Sequence, residues 1–538
     1  MALTELLDEL EIDKNFKMRP MNFEDHVYAE MVHEDGKFKG IRINGDTIKA
    51  DKLESLLEAF GYAKHVFTIC SQGLFDSLLR SFDRSTLFDL QTGYGIPTQF
   101  GELRYRRSAL VLVVGTRTFY IWNLFKFFKF STEEVNSLSV DKVEIYARML
   151  FVFLASHKVS ISNLYSPASV NRALMNEYSY NAFSKFHGDL DLLKAFYSAC
   201  YGGRQESVGI GLKSGTHNYD MEKAHLRIIS GIPSMRHTRL YKNKDYIPDA
   251  FCGAFLIRAR VPRMEMCPLP YQPDIKSFVW NEMRQGGYPY GDIYGWYSSE
   301  YIKLLDEMGI KYDVHQSYQF VPLGKGRSPF SKLVGKVSAV LDDAPDHINA
   351  KALYHTLSGN MVSIRHRVDN NSRRLKYCAY NSFSPVLYSY ILSYQSCYMY
   401  RLYNKYKAVA IRADAITALQ KLPKTPRLRL DNTGDTMFFT SLLKTFPDGK
   451  GQIWKDLILE WKGSPYVKKE YSTFPTIGVN LRHGVTLGRR NRGVYSIFPS
   501  YGVRSGPGIS DVADLLSEYF YSDPPTVEMI DKGFSGDN

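Results

Sequence analysis

Apolar and polar positions alternate in short blocks along the first 200 residues. HVYAEMV (26–32), GIRIN (40–44) and HVFTIC (65–70) predict strands, whereas ADKLESLLEAF (50–60) and GLFDSLLRSF (73–82) repeat their apolar residues at helical spacing. RRSALVLVVGTRTFYIW (106–122) predicts two strands turning at Gly115, and VDKVEIYARMLFVFLASH (140–157) a long, mostly buried helix. WNLFKFFKF (122–130) sets Lys126 and Lys129 among aromatics, which suits either a nucleic-acid surface or lysine stems lying over apolar surface.

Further on, GWYSSEYIKLLDEMGIKYDVHQSYQF (295–320) predicts strand, helix, strand, with Ser298 or Ser299 as N-cap and Gly309 as the stop. SPFSKLVGKVSAVL (328–341) and INAKALYHTLSGNM (348–361) predict two helices joined by a proline-containing turn. In SFSPVLYSYILSYQSCYMYRLYNKY (382–406), Ser384 caps and Pro385 opens about five helical turns. YKAVAIRADAITA (406–418) then predicts a buried strand with Arg412 and Asp414 on one face; GIGLKSG (209–215) predicts a turn between strands.

With 538 residues the chain holds several cores, and 44% hydrophobic with 23% charged residues is a globular composition, not a disordered one. The net charge of +12 favours a polyanionic partner, and 38 tyrosines with 32 phenylalanines suit base stacking as well as a large core. Six cysteines without a CxxC spacing argue against a zinc cluster and for free thiols in a reducing compartment. The start, MALTELLDELEIDKN, has no secretion-signal pattern, and the apolar runs ALVLVV and MLFVFLA are too short to span a bilayer. These features predict an intracellular, non-secreted protein.

The candidate chemistry lies in two acids from distant segments. Asp220, in HNYDMEKAHL, stands where an extended run passes into a helix, and Asp414 stands within the 406–418 strand. A buried carboxylate needs a cation, a metal or donors beside it. Arg412 and Asp414 could satisfy each other; alternatively Asp220 and Asp414 could together hold a pair of Mg²⁺ ions for phosphoryl transfer.

The order of motifs resembles the organellar and viral branch of family B DNA polymerases, the group that includes protein-primed replicases. YGGR (201–204) is similar to that branch's YxGG element, YDMEKAHL around Asp220 to its first palm motif, and KALYHTLSG (351–359) to its fingers motif. RADA (412–415) stands where the branch has DTDS, and GWYSSEYIKLLDEMGI resembles the segment between the first two motifs. The resemblance implies an α/β and α+β multidomain fold with an exonuclease-like domain over 1–195 followed by a right hand. Its palm would take 196–328 and 371–425, its fingers 329–370 and its thumb-like region 426–538.

By the same resemblance Asp220 and Asp414 hold two Mg²⁺ (or Mn²⁺) ions, and Lys351 meets the incoming dNTP, with His225, His355 and Gly359 also at the nucleotide. Tyr201, Gly202, Gly203 and Arg204 would line the template. Arg489, Arg490 and Arg492 in GRRNRG, with Arg482, His483 and Arg504 nearby, would grip duplex phosphates from a thumb, or else form a solvated loop. The implied partners are template-primer DNA and dNTPs, with a terminal protein or other replication or virion protein left open. The implied setting is an infected cell, a virion or an organelle.

The sequence also departs from the pattern. Arg412 replaces the first acid of DTDS, which should weaken metal binding unless the guanidinium reaches a primer phosphate. His225, Leu226 and Ser358 replace residues of the sugar pocket. In the N-terminal domain only Asp76 and Asp141 remain as exonuclease-like acids, Ser137 stands where a tyrosine is expected, and proofreading is expected to be lost. Both acids also read as helix-surface or capping residues. The leading expectation is a template-directed DNA polymerase. The alternatives are a polymerase-derived nucleic-acid-binding or assembly protein with impaired chemistry and, further off, a basic metabolic enzyme.

Overall fold

The structure is a computed structural model. It describes residues 10–13, 25–34, 37–49, 53–79, 90, 95–106, 108–157, 166–183, 190–208, 211–233, 238–243, 245–271, 288–324, 328–362, 364–368, 375–380, 382–424, 427–440, 446–447, 470–471, 476–480, 485–490 and 494–499. The chain divides into two compact units, each assembled from separated segments. One contains Glu9–Lys185 and Pro329–Phe383; the other contains Phe186–Ser328 and Ser384–Asn538. The described residues 375–380 and 382–383, expected with the palm, fall within the unit that holds Pro329 onward.

The unit that begins at Glu9 is built on an eight-stranded mixed sheet. At its centre His26–Glu34, His65–Thr68 and Arg117–Asn123 run parallel, and antiparallel strands extend it on both sides. The central HVFT strand is buried along its whole length, as befits a strand covered on both faces. The turn at Gly115 forms as expected, between paired Val114 and Arg117, with Gly115 at φ +57°.

The helix Val140–Ser156 has the expected limits but not the expected burial. Val143, Ala147, Leu150 and Leu154 face inward, while Ile145 and Val152 are 62% and 69% exposed. Their seven-residue spacing brings both onto the outer face of a 3.6-residue helix. Lys126 reaches Ser108 Oγ at 3.4 Å from a short 3₁₀ turn, and Lys129 is exposed.

Among the described residues of the other unit, a six-stranded and a five-stranded antiparallel sheet share one apolar core with the helices Ser299–Glu307 and Pro385–Tyr406. A six-stranded sheet runs in the order Gln205–Ser207, Ala410–Arg412, Ala415–Ala418, Gly211–Met221, Leu428–Thr440, Thr476–Asn480. A five-stranded sheet runs Thr238–Asn243, Tyr312–Pro322, Cys252–Val261, Pro289–Ser298, Glu470–Tyr471. Tyr219, Ile411 and Ile416 of the first join Phe255, Ile257 and Tyr297 of the second, with Met399, Tyr400 and Tyr403 of the helix Pro385–Tyr406 in the same core.

That helix is apolar around most of its circumference because it is buried on most sides. Ser384 Oγ accepts from Leu387 N and Pro385 occupies the first turn, as the sequence indicates. Of GIGLKSG, expected as a turn between strands, residues 211–215 are strand, and residues 209 and 210 lie outside the described residues. Gly211–Met221 is one continuous strand, and the glycine serves a bulge between Lys213 and Thr216, where Gly215 has φ +67°.

Candidate active site

Asp220 lies near the end of the Gly211–Met221 strand, just before the turn into the helix Ala224–Ser230. Its neighbour across the sheet is Ala415, and Met221 N donates to Asp414 O at 2.8 Å. Two acids 194 positions apart in the chain are thereby seated on adjoining strand ends.

Asp414 is not within a strand. Residues 410–418 form a hairpin whose two-residue turn is Ala413–Asp414, with Arg412 paired to Ala415. Ala413 adopts φ +56°, a left-handed conformation costing roughly 1–2 kcal/mol for a residue with a Cβ. No Gly or Asn marks the turn, so alternation alone reads straight through it.

The turn is held from outside by the YGGR segment. Ala413 N donates to Arg204 O at 2.6 Å, and a Cβ built on Gly203 would stand 3.1 Å from that of Ala413. The expected template contact of Arg204 is corrected, because its side chain is fully buried. Its guanidinium pairs with buried Glu206 at 2.5 Å, donates to Cys267 O at 2.6 Å, and stacks over Tyr288 and Tyr400. Burial works against its charge, but Glu206 and the surrounding tyrosine oxygens outweigh that and raise its pKa. Tyr201 also turns inward, donating to Trp296 O at 3.0 Å and stacking on Tyr297. In YGGR, then, the two large side chains brace the turn that carries Asp414.

Arg412 Nη2 donates to Asn218 Oδ1 at 2.8 Å. Asn218 is a buried hub that also accepts from Thr417 Oγ1 at 2.6 Å and donates to Asn432 Oδ1 at 2.7 Å. The pairing register places Gln205, Arg412, Ala415, Asp220 and Arg429 in one row across five strands. Arg412 and Asp220 therefore share a sheet face, with about 10 Å between their strands. The opposite face, with Tyr219, Ile411 and Ile416, is the one buried in the core.

His225, in the first turn of the following helix, is bonded through Nε2 to Gln395 Oε1 at 2.9 Å. Burial lowers its pKa; the Gln395 bond and the charge of Asp414 pull weakly the other way. Its folded pKa thus lies below the ordinary imidazole value of about 6.5. The unfolded chain binds the extra proton first, so this stability is full above that value and is lost as pH falls toward the depressed one. Urea unfolding of metal-free protein is expected to show a smaller loss between pH 7.5 and 5 in His225→Gln than in the parent.

The remaining candidates lie elsewhere. Lys351 is exposed in the first turn of Ala350–Gly359, whose N-cap Asn349 accepts from Ala352 N at 3.1 Å; this helix belongs to the other unit. Gly359 closes the same helix, with open space where a Cβ would stand, and the side chain of His355 lies outside the described residues. Arg489 and Arg490 are not in a loop but in the strand Val485–Arg490, opposite Tyr495 and Val494. Arg492, Arg482, His483 and Arg504 lie outside the described residues.

Asp76 is exposed and accepts from the Tyr105 hydroxyl and from Gln72 Nε2, while Asp141 is an exposed first-turn acid. Among the described residues no group of three or more His, Cys, Asp or Glu side chains is placed to hold a metal. Among them, too, no helix is long and apolar enough to cross a membrane. The sequence offered no signal for Asn218, Gln395 or Glu206, whose roles depend on neighbours far away in the chain.

No protein-family model and no curated protein matches the chain. Solved structures do. Phi29 DNA polymerase in an orthorhombic crystal form aligns at TM-score 0.50 and 12% identity, over 77% of this chain and 85% of that one. The same polymerase complexed with primer-template DNA and incoming nucleotides aligns at 0.50 and 13%, over 77% and 86%. Complexed with single-stranded DNA, it aligns at 0.50 and 12%, over 78% and 86%. At such identity the likeness speaks for the fold, and the fold this chain shares is that of a DNA polymerase.

Proposed function

We propose that the chain is a template-directed DNA polymerase of the family B, protein-primed kind, with Asp220 and Asp414 at its catalytic centre. The observation that carries this reading is the pairing of the Asp220 strand with the Asp414 hairpin, in a fold shared with a DNA polymerase. Two carboxylates on adjoining strand ends suit Mg²⁺ or Mn²⁺, which take one or two carboxylates and leave the other positions to water and phosphate oxygens. When bound, a pair of such ions would activate a primer hydroxyl and neutralise the leaving pyrophosphate.

The protein's own groups would do the positioning. The Arg204 carbonyl fixes the turn bearing Asp414, and His225, kept neutral and anchored by Gln395, borders the sugar side of the nucleotide. Lys351 is assigned to the triphosphate from its motif; a lysine in a helix's first turn opposes the macrodipole and so adds to a positive end suited to an anion. The resemblance leaves room for a terminal protein as primer. It also leaves the N-terminal unit as a non-proofreading relic, consistent with the surface settings of Asp76 and Asp141.

The test is extension of a labelled primer-template by purified protein with four dNTPs and Mg²⁺ or Mn²⁺. Template-dependent, metal-dependent extension is expected. DNA binding without extension would favour the second reading, a polymerase-derived binding protein, which Arg412 in place of an acid specifically favours. That arginine also makes a separate prediction. Taking the two-strand spacing of about 10 Å as an upper separation, a unit cation costs a divalent ion at least on the order of 1–2 kcal/mol at intermediate dielectric. Arg412→Gln is therefore expected to tighten Mn²⁺ binding roughly tenfold, measured by titration calorimetry.

A further inference from the structure

The five-stranded sheet buries one face and leaves the other to solvent. Phe255, Ile257 and Ala259 point into the core, and between them Leu256, Arg258 and Arg260 point outward. Directly opposite on the neighbouring strand stand Trp296, Tyr294 and Asp292. A solvent-facing sheet ordinarily carries polar side chains. Here Tyr294 is 56% exposed, Trp296 is half-buried, and both arginines are exposed.

The rings are held rather than loose. Trp296 lies 5.9 Å from the Tyr318 ring, and Tyr294 meets His315 edge-on at 5.5 Å. Asp313 and Asp292 face Arg258 and Arg260 across the ladder, yet neither arginine forms an ion pair with them. Among the described residues, then, both guanidiniums remain available for an outside anion. Two residues along a strand advance about 6.8 Å, a stride over which successive bases of an extended strand can each meet a ring.

We propose that this outer face, Arg258, Arg260, Tyr294 and Trp296, is a stacking platform for single-stranded nucleic acid, distinct from the Asp220–Asp414 site. Rings would take the bases and arginines the phosphates, the combination that single-strand binding uses without reading sequence. The chain's net charge of +12 points to the same kind of occupant.

The test uses the full chain and a 5-iodouracil-substituted oligothymidylate. Photo-crosslinks mapped by peptide mass spectrometry are expected at Tyr294 or Trp296. In anisotropy titrations Tyr294→Ala/Trp296→Ala is expected to bind at least about thirtyfold more weakly with its salt dependence unchanged. Arg258→Gln/Arg260→Gln should flatten the slope of log affinity against log salt by about 1.4. Both double variants should still unfold cooperatively and extend a short recessed primer as the parent does, so failure here is separable from failure of the polymerase reading. Crosslinks confined to other peptides, with both variants binding like the parent, would overturn the proposal. So would sedimentation showing a parent dimer that the variants dissociate without losing oligonucleotide affinity.

Discussion

Arg204→Met is expected to destabilise the second of the two units by about 3–5 kcal/mol, seen as an earlier urea transition. Glu206 would be left as a buried carboxylate without its counter-charge, and the Cys267 carbonyl would lose its donor. The tyrosine faces of Tyr288 and Tyr400 cannot compensate, since they repel an anion as they attract a cation. Arg204→Met/Glu206→Gln should recover most of the loss, because it removes both charges from the interior. If the single and double variants unfold together, the pair is not the brace described here. The single variant should also slow primer extension, because the Arg204 carbonyl fixes the turn at Ala413.

Asp220→Asn and Asp414→Asn are each expected to reduce primer extension by a factor of about 10³ or more while leaving the fold intact. Each removes a charged oxygen ligand, and the metal-borne stabilisation of a phosphoryl-transfer transition state is several kcal/mol, at 1.36 kcal/mol per tenfold in rate. Asparagine suits both places: it is isosteric, and at 414 it is a good turn residue. Retained primer-template binding with lost extension would assign both acids to chemistry. Extension at the parent rate in either variant would remove that acid from the mechanism.

Much of the architecture is legible in the pattern of the chain. Strong local signals decide the helix after Ser384, the turn at Gly115 and the strand–helix–strand segment around Ser298 and Gly309. The errors fall where a distant contact overrides a local rule. Ala413 takes a left-handed turn because a carbonyl from residue 204 binds its N–H, and nothing within the hairpin announces it. Arg204 looks like a phosphate ligand beside two glycines until Glu206, Tyr288 and Tyr400 enclose it. Asp220 and Asp414 could be chosen as a pair from their motifs; only the strand register explains how they come together.

The interleaving of the two units has a consequence for how the polypeptide can be made and cut. Each unit is closed by a segment that lies beyond part of its partner: residues 329–383 complete the one that starts at Glu9, and residues from 384 onward complete the other. A single cleavage between them releases neither whole. During synthesis the eight-stranded sheet must wait, without its later helices, until the 143 intervening residues from Phe186 to Ser328 have emerged. Circularly permuted or two-piece chains, rather than simple truncations, are the way to isolate either half.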